Sequence, residues 1–236
     1  NQLSAPKTGH NGRHPLPALA DFLALMRAQG LTPDSKVVVY DADVGMFAAH
    51  LWWMLRWLGH ERVAVLDGGW RAWLAAGAPT QAGADPFHGS AAQPSPTQQA
   101  QTAAAMPMVD VNAVLANLRK PVFTVIDARA ANRYAGEVEP MDPVAGHIPG
   151  ALNRPSSQNV QADGHFKTPA LLRSEFDALL AGRSAAQIVH QCGSGITACH
   201  NLFAMELAGL KGSALYPGSW SEWCSDATRP VARGTN

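Results

Sequence analysis

The sequence predicts an α/β protein built as two similar domains, each a mostly parallel sheet flanked by helices. Three observations predict it. Short apolar runs alternate with stretches of helical spacing, the pattern of parallel strands joined by crossover helices. Residues of the first half recur in the second: Gly45, Gly59, Trp70 and Trp73 return as Gly195, Gly209, Trp220 and Trp223, an offset of 150 residues. Between the copies, the stretch from Pro79 to Pro107 is rich in Ala, Gln, Pro, Ser and Thr and lacks periodicity, so it reads as a linker. The domains are therefore placed at residues 1–79 and 108–236, with the linker at 80–107. A chain of 236 residues, 47% of them hydrophobic, is long enough for two modest cores.

Each copy reads strand, loop, helix, strand, turn, helix. Val38-Val39-Tyr40 falls on Ile188-Val189-His190, an apolar run suited to a buried strand. The helix expected from Met46 to Leu58 falls on Ile196 to Ala208, where Leu202, Met205 and Leu207 keep helical spacing. Asp67-Gly68-Gly69-Trp70 falls on Pro217-Gly218-Ser219-Trp220; both are tight turns before helices, with Gly69 and Ser219 near the N-caps. At this offset the copies align without a gap. Trp52, Trp53 and Trp57 share one helix and are expected to pack, as are Trp220 and Trp223. The counterpart of Val122 to Ala151 would precede residue 1, so the first domain looks N-terminally truncated and upstream residues are expected. A missing central strand predicts exposed apolar surface and unpaired backbone groups.

Charge and cysteine content narrow the function. Eighteen basic residues balance eighteen acidic ones, so no global field recruits a nucleic acid. Cys192, Cys199 and Cys224 are too few and too oddly spaced for a disulfide framework or a zinc site, which favours a reducing, cytoplasmic compartment. No apolar run is long enough to span a membrane, and the first residues show no charged-then-apolar leader. A monomer is expected.

The segment His190-Gln191-Cys192-Gly193-Ser194-Gly195-Ile196-Thr197-Ala198 places a lone cysteine between an apolar strand and a helix, at the head of a glycine-bearing turn. Two glycines open backbone conformations closed to other residues, so successive N–H groups converge on one spot at the helix start. Such a nest favours thiolate over thiol and makes Cys192 the candidate nucleophile. Cys199, about two helical turns on, is expected to point into the helix packing, and Cys224, near a polar tail, to be exposed and oxidisable.

The string CGSGITACHN, followed by Tyr216-Pro217-Gly218-Ser219-Trp220-Ser221-Glu222-Trp223, resembles the active loop and C-terminal signature of tandem-domain rhodanese-like sulfurtransferases, the thiosulfate and 3-mercaptopyruvate sulfurtransferases. Val125-Ile126-Asp127-Ala128-Arg129, Gly146-His147-Ile148-Pro149-Gly150-Ala151 and Asn132-Arg133-Tyr134 match further segments of that family, so the resemblance covers nearly the whole chain. It implies two rhodanese-like domains, the first catalytically silent, and a Cys192 persulfide held by the N–H groups of Gly193, Ser194, Gly195, Ile196 and Thr197 and by the hydroxyls of Ser194 and Thr197. It implies Arg133 as the binder of the donor's anionic group, since a guanidinium grips carboxylate or sulfonate oxygens bidentately. It implies His14, in Gly12-Arg13-His14-Pro15, as the first-domain histidine of an Asp-His-Ser relay with Ser194. Arg129 is expected to be structural, and Lys7 and Arg13 to add positive potential. His147 and Pro149 are expected to shape a turn near the active loop.

The first loop supports a silent first domain. At the 150-residue offset, Ala42 stands opposite Cys192, and Asp41 and Asp43 beside it would repel an anion. The reaction implied is a double displacement that needs no metal or organic cofactor: Cys192 takes a sulfane sulfur from a small-molecule donor and passes it to cyanide, a thiol or a reduced thioredoxin. A neutral loop at Gly193-Ser194-Gly195 resembles the mercaptopyruvate enzymes, whereas thiosulfate enzymes place basic residues there. Against this, Met141 stands after Glu139-Pro140 where the family has a second carboxylate-binding arginine. The expected donor is 3-mercaptopyruvate, with thiosulfate as the alternative. A cysteine phosphatase would need an arginine at position 198, which is alanine. A non-catalytic sulfur-carrier or partner-binding module is the alternative of another class, and an intact Cys192 argues against a dead module.

Overall fold

The computed structural model describes residues 3–83 and 105–235, so most of the linker expected at 80–107 lies outside the described residues. In the first half, α1 (Leu19–Ala28) leads to β1 (Val37–Val39), α2 (Met46–Trp57), β2 (Val63–Val65) and α3 (Gly69–Ala75). In the second, α4 (Val111–Arg119), β3 (Thr124–Asp127), α5 (Ala131–Ala135), β4 (Leu152–Asn153), α6 (Pro169–Leu180), β5 (Ile188–Gln191), α7 (Ile196–Leu207), β6 (Ala214–Leu215) and α8 (Ser219–Trp223) follow. Every strand pairing is parallel: β1 with β2 in one sheet, and the order β4-β3-β5-β6 in the other.

β5 is fully buried because β3 and β6 flank it, and its cysteine-bearing end emerges at the carboxyl edge where α/β sheets bind ligands. β1, its counterpart, pairs on one side only among the described residues. Val38 in this strand and Tyr40 just after it are 60% and 57% exposed.

Helices α2 and α7, equivalent in the two copies, pack against each other across the domain boundary. Trp52, Trp53 and Trp57 from α2 join Leu202, Phe203 and Met205 from α7 in one core cluster. Trp52 meets Phe203 edge-on with ring centroids 4.9 Å apart. Polar contacts fix the same boundary: His200 Nε2 lies 3.0 Å from the Val44 carbonyl, and the Phe166 N–H donates to Asp67. A second cluster under the opposite face of the larger sheet holds Val125, Val189, Tyr216, Trp220 and Trp223. The two copies thus share a continuous core, so residues from one are held in register with the loop of the other.

The repeat is not gapless. Val39 pairs with Val65 in the first sheet, whereas His190 pairs with Leu215 in the second, so the leading strands are related by 151 residues while the second strands keep 150. The backbone bonds agree: Leu66 N–H donates to Val39 and Trp70 N–H to Asp41, matching Tyr216 to His190 and Trp220 to Cys192. The first loop spends one more residue between strand and glycine. The counterpart of Cys192 is therefore Asp41, not Ala42.

Candidate active site

Gly195 at φ +90° ends the loop and caps α7, a left-handed conformation that suits glycine. A Cβ there would lie 2.5 Å from the Pro217 carbonyl oxygen, so the loop and the Tyr216–Trp223 segment approach as closely as glycine allows. That segment braces the loop. Trp220 and Ser221 N–H groups donate to the carbonyls of Cys192 and Gly193, and the Cys192 N–H donates to Ser219 Oγ at 3.1 Å. The helix caps fall one residue earlier than the sequence reading placed them, at Gly68 and Gly218. Ser219 itself takes φ +54° at the head of α8.

Cys192 is 2% exposed. Its Sγ accepts from the N–H groups of Ser194 at 3.4 Å and Gly195 at 3.1 Å. Thr197 and Ile196 stand half-buried at the start of α7, and the bonds to this sulfur come from Ser194 and Gly195. In the first domain the same nest is filled. The carboxylate of Asp41 accepts from the N–H groups of Asp43, Gly45, Phe47 and Ala48 at 2.8–3.1 Å. Burial works to raise the pKa of Asp41, but these four bonds outweigh it and hold it below the ordinary carboxylate value. The first domain's cradle thus holds a built-in anion: its Asp41 carboxylate is drawn into the loop amides rather than standing off to repel an anion.

The first domain also supplies a lid. A Cβ on Gly12 would meet the Gly218 carbonyl at 2.9 Å, and the Arg13 N–H donates to Ser221 Oγ at 3.0 Å, so this loop is pinned on α8. His14 Nδ1 then lies 2.9 Å from Ser194 Oγ. Burial first, then the charges of Lys7 and Arg13, lower the pKa of His14 and keep its ring neutral near pH 7.

Arg133 sits on α5 beside the loop; its guanidinium nitrogens lie 3.5–3.6 Å from where a Gly193 Cβ would stand, and Arg13 Nη2 lies 2.7 Å from that point. Arg133 is already paired, with Glu139 at 2.6 Å and Asp142 at 3.4 Å. Arg13 pairs with Asp142, and Arg129 bridges Asp127 at 2.7 Å and Glu139 at 3.2 Å. Burial alone would raise the pKa of Glu139; the Arg133 bond and the Met141 and Asp142 amides bring it below the usual range. Arg129 also donates to the Gly146 carbonyl at 2.7 Å and lies over the Trp220 ring, which makes it the structural residue expected. His147 is buried, stacked on Tyr134, with Nδ1 2.8 Å from the Tyr134 carbonyl. Met141 points to solvent.

Two expectations about cysteines part company. Cys199 is buried in α7 and donates to the Gly195 carbonyl at 3.3 Å. Cys224 is also buried, 7% exposed, and burial pushes its pKa up to about 11. Cys224 lies in the second core cluster with Trp220 and Trp223, and Val144 packs against that cluster. Sequence reasoning also missed Asp142, Ser219 and Ser221. Only the local string around Trp220 carried a signal for the two serines, and none marked Asp142 as the partner of residue 13.

A family profile described as Rhodanese-like domain matches residues 3–76 and 110–226. The chain is 48% identical over 98% of its length to a "Probable 3-mercaptopyruvate sulfurtransferase" of Pseudomonas aeruginosa, covering 80% of that protein. It is 36% identical over 88% of its length to a thiosulfate sulfurtransferase of Bos taurus, covering 69% of it. Among solved structures, a 3-mercaptopyruvate sulfurtransferase from Leishmania major superposes with a TM-score of 0.81 at 30% identity over 98% of this chain. This chain spans 62% of that longer one. The family profile over most of the chain and a relative 48% identical over 98% of it show that the chain belongs to the rhodanese-like sulfurtransferases.

Proposed function

We propose that the chain moves sulfur from 3-mercaptopyruvate through a Cys192 persulfide to cyanide, a small thiol or a reduced thioredoxin. The observation that carries the choice of donor is the 2.9 Å contact between His14 and Ser194, which puts a neutral histidine and a hydroxyl next to the nucleophile. In the first displacement the Cys192 thiolate forms a bond to the donor sulfur. The carbon–sulfur bond breaks, and its electron pair leaves as the enolate of pyruvate, which must take a proton. The Ser194–His14 pair is placed to pass that proton. In the second, the acceptor attacks the outer sulfur and returns the Cys192 thiolate, as thiol–disulfide exchange does. Both steps balance without a metal or an organic cofactor.

Ser194 and Gly195 already donate to Cys192 Sγ, and the free N–H groups of Gly193, Ile196 and Thr197 with the Thr197 hydroxyl are the donors left for the outer sulfur. Arg133, with Arg13, is the candidate grip on the donor's carboxylate. Met141 favours the second reading, thiosulfate as donor, in which sulfite leaves with the pair from a broken sulfur–sulfur bond. The three described cysteines are free, which supports a cytoplasmic site of action. No helix among the described residues is long and apolar enough to cross a membrane. We take the protein to act as a monomer.

The test is thiocyanate formation by the purified protein with 3-mercaptopyruvate and thiosulfate in parallel, with Cys192→Ser as control. Higher turnover with mercaptopyruvate supports the proposal. Higher turnover with thiosulfate replaces the donor, and a Cys192→Ser protein as active as the wild type overturns the assignment of the nucleophile.

A further inference from the structure

Six charged side chains run from the sheet to the domain boundary in strict alternation: Asp127, Arg129, Glu139, Arg133, Asp142 and Arg13. Three positive and three negative groups leave the ladder electroneutral. Its outer end lies over Gly193, beside Cys192, where the two guanidinium groups meet. The carboxylate between them belongs to Asp142, whose side chain is 2% exposed, while Arg13 and Arg133 retain 21% and 17%. Arg13 Nε is buried with no hydrogen-bond partner, so the guanidinium holds an unused donor. The arginines that an anionic donor would use are therefore already bridged by a carboxylate of the protein.

We infer that Asp142 is a specificity-determining residue: a resident carboxylate on Arg13 and Arg133 that cancels their charge toward the donor, so that access to Cys192 favours neutral or singly charged molecules over dianions. Asp142 stays tethered beside these arginines when a donor arrives, so a carboxylate adds one negative charge to the ladder and a dianion adds two, in a largely buried site where Coulomb energies are several times those in water. The inference rests on the sulfurtransferase reading for its substrates, but its charge argument concerns only what reaches Cys192.

The test is alkylation of Cys192, followed by mass spectrometry of its peptide, with iodoacetamide and iodoacetate, reagents of similar size that differ by one charge. Asp142→Asn makes the site more positive by one unit. The expected result is a rise in the iodoacetate-to-iodoacetamide rate ratio by about five- to thirtyfold, the range of one unit charge at several ångströms in a half-buried site. Equal acceleration of both reagents, or a ratio unchanged within about twofold, means that Asp142 only holds the fold and overturns the inference. Salt supplies a second check: with the two arginines neutralised, any fall of the iodoacetate rate from low to physiological ionic strength comes from Lys7 and disappears in Lys7→Gln, and a steep fall that persists in Lys7→Gln overturns the inference. In turnover, kcat/KM for thiosulfate relative to mercaptopyruvate is expected to rise in Asp142→Asn through KM rather than kcat. No sulfur transfer by the wild type with either donor would refute the functional reading and leave the alkylation result to judge Asp142 by itself.

Discussion

Replacing Asp41 with asparagine tests whether the first domain's nest is a structural cap. The carboxylate accepts four backbone N–H groups at the start of α2, two on each oxygen. An asparagine keeps one oxygen and turns an NH2 toward the other two amides. Each lost charge-assisted bond costs about 1.5–3 kcal/mol when fully buried; Asp41 is half-exposed, so solvent takes a large part of this. Loss of the favourable dipole interaction adds about 0.3–1 kcal/mol, and the expected total is about 2 kcal/mol. Because α2 packs on α7 in the shared core, the loss should appear in global unfolding. With a slope of about 2 kcal/mol per molar urea, the midpoint falls by about 1 M at neutral pH. The sign with pH follows from the lowered pKa. The stabilisation is full above the unfolded carboxylate value of about 3.9 and is lost as pH falls through the folded value beneath it. The difference between wild type and Asp41→Asn should therefore shrink below about pH 4. A difference under about 0.5 kcal/mol at pH 7, within the scatter of ordinary surface substitutions, or one undiminished in strong acid, would refute the reasoning.

Two further outcomes follow from the site. Gly195→Ala puts a Cβ 2.5 Å from the Pro217 carbonyl at a φ of +90°, so stability should fall by at least about 2 kcal/mol and sulfur transfer by well over tenfold, read by urea unfolding and thiocyanate formation. Lys7→Gln removes one of the charges that keep the His14 pKa low, so the acid limb of kcat/KM with mercaptopyruvate should move to higher pH; an unmoved limb would detach His14 from the rate.

The parallel sheets, the repeat and the active loop were legible because each rests on local pattern: apolar runs at Ile188–His190, glycines at 193 and 195, tryptophans at fixed spacing. The one-residue slip at Asp41 was not. Matching glycines and tryptophans fixes the register of helices and turns but is blind to a residue gained between strand and glycine, which only the strand pairing reveals. The pairing of Arg133 was hidden for another reason. Glu139 and Asp142 lie on an irregular proline-bearing loop, where no period tells which way a side chain points, and Arg13 joins them from 129 residues away. Polar neighbours in sequence likewise say nothing of Cys224, which joins the core cluster of Trp220 and Trp223.

The corrected register also changes what distinguishes the two copies. Both build the same cradle of loop amides at the end of a parallel strand, and both place an anion or incipient anion in it, Asp41 in one and Cys192 in the other. The two cradles thus differ in the side chain each holds and in what is laid over it. Part of what surrounds Cys192 comes from the first copy: His14 against Ser194, and Arg13 against Asp142 above Gly193. The first domain, its own nest closed by a carboxylate, contributes through the loop it lays across its partner's nest. That arrangement requires the two cores to be continuous, since rocking at the α2–α7 contact would carry His14 out of hydrogen-bond reach of Ser194. Packing of tryptophans at the boundary and the placing of His14 against Ser194 are thus one structural problem, solved by the same pair of helices.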